Sequence, residues 1–255
     1  QRLGGAGREH RVRRLEQGLI MLSPAQAHLM RVQAETATAQ AAPGAEVDTS
    51  TSRAHAMMRA KLDTDRRRLK MVQSVERKID VKREVLPAYE DYVAGVIGSG
   101  QGVQDEVLGY VLTWRIDVGD YAGALDVARY VLEHNLSLPD RFQRTPATLI
   151  AEEPAGQALK AYDAKKPFDV DVLHAILELT ESRDMPDEVR AKLHMAMGRH
   201  LSESEPHQAL EHLRRAVELH DKVGAKKDIE RLERVIRNTH DATPASNEPP
   251  PDSGT

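Results

Sequence analysis

Residues 53–86 contain neither glycine nor proline, the two residues that most readily interrupt a helix. Within that span Met58, Leu62, Leu69, Val72, Ile79 and Leu86 fall on the a and d positions of a heptad, while Asp65, Glu76 and Arg83 interrupt the register. A stripe of this period predicts a long amphipathic, coiled-coil-like helix, with a coiled-coil hairpin arm as the alternative. It should end before Pro87, because the residue ahead of a proline is pushed out of the α region. Nowhere does the chain alternate apolar and polar residues at the two-residue period of a strand. Aromatic residues are only 4% of the total, so the core must be drawn from Ala, Leu, Val, Ile and Met. The expected fold class is all-α.

The remaining punctuation divides the chain. Residues 1–20 read as an N-terminal extension and 21–52 as a short helix followed by a linker, AAPGAEVDTSTS. Ser23 is placed to cap that short helix, with Pro24 in its first turn. Residues 53–86 form a basic helical arm, 87–237 a helical body, and 238–255 a Pro- and Ser-rich disordered tail. In the body, helices are expected over 89–97, 103–118, 121–135, 156–164, 170–181, 187–201, 207–223 and 226–238, with 135–154 irregular because it carries three prolines. An internal echo at an offset of 85 lays Leu108 on Leu193 and Ala124-Leu125 on Ala209-Leu210. That suggests tetratricopeptide-like helical hairpins, or equally two ordinary antiparallel pairs.

Several chemistries find no footing. There is no Cys, so disulfides, thiol catalysis and Cys-ligated zinc are excluded. No apolar run approaches the ~18 residues of a membrane span, and the first twenty residues are too basic for a secretory signal. The segment Gly98-Ser99-Gly100-Gln101-Gly102 lacks the Gly-Lys-Ser/Thr of a P-loop and the preceding strand of a dinucleotide fingerprint, so it reads as a helix–helix turn. His194 and His200 lie six apart and His207 and His212 five apart, spacings that do not put two imidazoles on one helix face, so no metal ligands are assigned. The acids Glu152, Glu153, Asp169, Asp171, Asp184, Asp187 and Glu188 show no evident catalytic constellation, and no catalytic residue or cofactor is assigned.

Charge is the strongest functional signal. Residues 53–84 hold 11 Lys+Arg against 5 Asp+Glu, whereas 85–255 hold 19 against 30, within a chain of net −4. A basic segment ahead of an acidic body points to a polyanion contact at one end. The candidate DNA contacts are Arg59, Lys61, Arg66, Arg67, Arg68, Lys70, Arg77 and Lys78. On the same helix Leu62, Leu69, Val72 and Ile79 make an apolar stripe that needs a partner, and they are the candidates for self-association.

The blocks LSPAQAHLMRV, KREVLPAYEDYVAGVI, TWRIDVGDYAGALDVARYVLEHNLSLPDRFQRTP, LTESRDMPDEVRAKLH and GAKKDIERLER occur in order over about residues 21–235. In these blocks the chain resembles the small terminase subunit of P2-like tailed bacteriophages, also labelled the terminase endonuclease subunit. The resemblance implies a protein of the infected bacterial host's cytoplasm that binds the cohesive-end site of double-stranded viral DNA. It also implies assembly into a homo-oligomeric ring and recruitment of the large ATPase subunit for packaging. Two other readings stay open: a metal-dependent endonuclease, which would need Mg, and a tetratricopeptide-like peptide-binding adaptor.

Overall fold

The computed structural model describes residues 23–39, 43, 53–139 and 142–241. The expectations for residues 1–20, for the linker apart from Pro43, and for the tail from 242 onward lie outside the described residues. Among the described residues the regular elements are helices and no strand occurs, so the protein is all-α. The chain divides into two compact units, residues 1–146 and 147–255.

In the first unit, α1 (Pro24–Ala39) begins where the sequence places it. Ser23 and Gln26 form a reciprocal cap: the Ser23 N–H donates to Gln26 Oε1 at 2.9 Å and the Gln26 N–H to Ser23 Oγ at 3.3 Å. The segment expected to be one long helix is two, α2 (Arg53–Met71) and α3 (Val75–Val85). Ser74 breaks it. Its backbone is extended at φ −68°, ψ 132°, and its hydroxyl accepts the N–H of Arg77. A side-chain oxygen that satisfies an orphan donor is enough to start a new helix without glycine or proline. The heptad stripe therefore does not run on as one seam. Leu62 is enclosed, whereas Leu69, Val72 and Ile79 are half-buried.

A 3-10 turn, Leu86–Tyr89, leads into α4 (Glu90–Ser99). Next come α5 (Glu106–Val118) and α6 (Tyr121–Glu133). Helix α5 starts three residues later than its apolar pattern suggests, because the Asp105 carboxylate caps it by accepting the Val107 N–H at 2.7 Å. Helix α1 packs along α4, and α2 and α3 both pack on α5, so the basic helices belong to a compact unit rather than to a free arm. Trp114, Tyr89, Tyr92, Tyr110, Leu62, Leu108 and Leu112 fill the core. Tyr89 and Tyr110 each meet Trp114 edge-on, with centroids 5.9 and 6.0 Å apart.

The second unit opens with α7 (Pro146–Asp163), which replaces the irregular stretch expected up to residue 154. The buried Pro154 lies inside that helix: packing on the apolar face, with Ala151, Ala155 and Ala158 all inaccessible, outweighs the hydrogen bond a proline cannot donate. Then follow α8 (Val170–Thr180), α9 (Asp187–Leu201), α10 (Pro206–Leu219) and α11 (Lys226–Asp241). The two echoing segments are helix pairs, α5 with α6 and α9 with α10. The α9–α10 approach is set by Gly198, where a Cβ would sit 2.6 Å from Leu213 Cγ and 2.8 Å from the Ala209 carbonyl oxygen. Backbone on one side leaves little room to yield. Gly198→Ala is therefore expected to cost about 1–2 kcal/mol in urea unfolding; a neutral result would mean the helix pair separates freely.

Candidate nucleic-acid interface

The eight cations singled out in the sequence divide by their partners. Lys61 turns inward: its ammonium lies 2.5 Å from Asp65 and 4.6 Å from the Tyr89 ring centroid. Asp65 also accepts the Tyr89 hydroxyl at 2.6 Å, so this trio ties α2 to the turn before α4. Burial and the Asp65 carboxylate together push the Tyr89 hydroxyl far above the usual phenol range. Arg59 and Arg66 both reach Glu106 at the start of α5, at 3.1 and 3.2 Å, and Arg66 also covers the Tyr110 ring. Arg68 grips Glu84 through two hydrogen bonds of 3.0 and 2.6 Å, linking α2 to α3. That contact holds the Glu84 carboxyl below its ordinary range, though both groups are largely exposed and the pair adds little stability. Arg77 stands 3.9 Å from Asp80.

Arg67, Lys70 and Lys78 differ from the rest. Among the described residues none of the three has a carboxylate within 4 Å. Arg67 instead donates to the Asp63 carbonyl oxygen at 3.2 Å and to Thr64 Oγ1. All three line one cleft of about 560 Å³ between α2, α3 and α5, together with Asp63, Arg66, Leu69, Lys82, Thr113, Trp114 and Asp117. Lys82 belongs to the basic stretch read from the sequence, whereas Thr113 and Trp114 were not anticipated as part of such a face. Lys82 lies four residues beyond Lys78, a spacing that puts it on the same side of a helix and marks it from sequence alone. Thr113 and Trp114 come from a different helix, and no local signal points to them.

The second unit has a basic cleft of its own, about 750 Å³, lined by Lys165, Lys166, Arg199, His200 and Arg231 together with Asp163 and Glu203, and it also gathers histidines. His194 of α9 and His212 of α10 bring their Nδ1 atoms within 3.0 Å, and the His174 ring of α8 lies 6.4 Å from that of His212. His200 is occupied with the Ala158 carbonyl oxygen at 2.8 Å. Burial, reinforced by His212, lowers the His194 pKa to about 4. Burial likewise lowers that of His212. Among the described residues no group of three or more His, Asp or Glu side chains is arranged to hold a metal ion. No described helix is long and apolar enough to cross a membrane.

The described residues thus make an all-helical protein with a cation-lined cleft between α2, α3 and α5. Comparison with known proteins supplies the family. The phage small terminase subunit model matches residues 59–188. The chain is 45% identical over 219 residues to "Terminase, endonuclease subunit" of Escherichia phage P2, covering 85% of this chain and 87% of that protein. It is 25% identical over 118 residues to "Probable terminase, endonuclease subunit" of Haemophilus phage HP1 (strain HP1c1), covering 42% of each. No solved structure matches it. The chain belongs to the phage small terminase subunit family.

Proposed function

We propose that this chain binds double-stranded viral DNA at its packaging site, assembles into a ring-like homo-oligomer and delivers the DNA to the large ATPase subunit in the cytoplasm of the host. The observation that carries the DNA contact is the trio Arg67, Lys70 and Lys78, cations without a carboxylate partner in a chain of net −4. Arg59, Arg66, Arg68 and Arg77 stand on the same helices and can exchange their acidic partners for phosphates. Lys61 supports the fold beneath them.

For self-association, the half-buried Leu69, Val72 and Ile79 are joined at the α2–α3 junction by Met71 and Val75, which are 82% and 72% exposed. Leu62 packs inside its own unit and contributes indirectly. Sedimentation of Met71→Ser/Val75→Ser against the parent chain tests this: a smaller assembly supports it and an unchanged one removes it.

The DNA reading is tested by Arg67→Ala/Lys70→Ala/Lys78→Ala on packaging-site and random duplexes at several salt concentrations. Phosphate contacts carry no base information directly, so both DNAs should weaken alike, by about ten- to a hundredfold at low salt. The log–log salt slope should become shallower by about two to three. Unchanged affinity and slope would move the DNA surface elsewhere. The names of both relatives favour a second reading, cutting by this subunit. Incubating the chain alone with packaging-site DNA and magnesium decides it: nicked product would establish the nuclease, and intact DNA would leave a recognition and assembly role.

A further inference from the structure

The cleft that collects Arg67, Lys70 and Lys78 has a shape of its own. Arg67 and Lys70 lie three residues apart on α2, and Lys78 and Lys82 four apart on α3. Each pair therefore shares one face of its helix. Both faces line the same concavity, with Thr113, Trp114 and Asp117 of α5 completing it. Its two lining acids are already engaged: Asp63 stands 3.5 Å from Arg66, and Asp117 pairs with Lys82. Arg67, Lys70 and Lys78 are left as three cations around a cleft of about 560 Å³. Like charges gathered over low-dielectric walls focus a positive potential and repel one another until an anion enters.

The volume is that of a small-ligand site. A duplex presents its phosphates on a convex surface, so it meets the rim of such a cleft and cannot fill it. A compact phosphate chain can. The cleft also offers no platform for a base. Trp114 is only 2% exposed, and its ring is held edge-on by Tyr89 and Tyr110.

We propose that the cleft between α2, α3 and α5 binds a compact oligophosphate, the phosphate chain of a nucleoside di- or triphosphate, through Arg67, Lys70 and Lys78. Recognition rests on the phosphates and is indifferent to the base. Thr113, whose hydroxyl is turned to the Gly109 carbonyl oxygen at 2.9 Å, forms part of the wall. This site goes beyond the DNA reading and does not depend on it.

The experiment is a calorimetric titration of the whole chain with tripolyphosphate, ATP and GTP. Inorganic phosphate and a thymidine dinucleotide carrying one phosphodiester serve as comparators. One site per chain is expected, with ATP and GTP within about threefold of each other and all three ligands tighter than the comparators by about tenfold or more. Arg67→Ala/Lys78→Ala should weaken tripolyphosphate by about tenfold or more. Thr113→Glu, which sets a carboxylate in the wall, should abolish binding while circular dichroism stays that of the parent. Equal binding of phosphate and tripolyphosphate, no saturable binding, or variants that bind as the parent does would each overturn the proposal. A chain that binds duplex DNA yet ignores tripolyphosphate overturns this site alone. One that binds tripolyphosphate but no DNA overturns the DNA reading alone.

Discussion

Asp105→Ala is expected to lower the unfolding free energy of the first unit by about 3 kcal/mol. The Asp105 carboxylate is almost wholly buried and has two duties. Its Oδ1 accepts the Val107 N–H at 2.7 Å and so caps α5. Its Oδ2 accepts the Tyr92 hydroxyl at 2.6 Å. Tyr92 in turn meets His55 Nδ1 at 2.6 Å. A hydroxyl has one proton, and here Asp105 receives it, so His55 Nδ1 is the donor to the Tyr92 oxygen. The chain His55–Tyr92–Asp105 thus joins α2, α4 and α5 inside the core. Alanine removes a cap worth about 1 kcal/mol and leaves the Tyr92 hydroxyl buried without an acceptor, at a further 1–3 kcal/mol. Asp105→Asn keeps one oxygen for the Val107 N–H, and its amide N–H can donate to the Tyr92 oxygen if the Tyr92 proton turns to His55 Nδ1, so it should cost less. Urea unfolding of the two variants measures the difference, and a loss under about 1 kcal/mol for alanine would show that water replaces the carboxylate.

That network also shows where reading the sequence stops. Helix class, the α1 start at Ser23, and the α8, α9 and α11 segments follow from periodicity, capping residues and proline position, which are local properties. A hairpin is one reading of this segment, but the α2–α3 break could not be placed at Ser74 because its signal is one serine, and a serine mid-pattern is more often an exposed helix residue than a cap. Helix α7 was expected only from residue 156, because Pro154 ordinarily marks an end, and only the packing of its alanine face shows that it begins at Pro146. At the site, the cluster of basic residues was legible. Which of them are spoken for was not, since Glu106 lies forty residues beyond Arg66, and Lys61 is satisfied by Tyr89 of a later element. The histidine cluster was invisible for the same reason: His174, His194 and His212 come from three helices, and spacing along a single helix cannot bring them together.

Those histidines make the second unit sensitive to acid. His194 is held neutral by burial first and by His212, Arg215 and Arg190 after it, which lowers its pKa from 6.5 to about 4. His212 is shifted in the same direction by burial and His174, with Glu211 pulling weakly the other way. A histidine whose folded pKa lies below its unfolded value contributes fully above pH 6.5. Below it the unfolded chain takes up a proton that the folded one refuses, and stability falls until the folded group titrates near pH 4. The burial of Asp105 acts oppositely, since it raises the carboxyl's pKa and so favours the folded state in acid. Unfolding in urea at pH 7 and pH 4.5 should therefore show a loss of which His194 accounts for on the order of 2 kcal/mol, after allowance for its partial exposure. His194→Gln removes that titration and keeps a polar group opposite His212 Nδ1, so the variant should lose correspondingly less over the same interval, even if it starts slightly less stable at pH 7. Parallel pH profiles for the parent and the variant would mean that the Nδ1 pair opens to solvent and binds its proton as freely as in the unfolded chain.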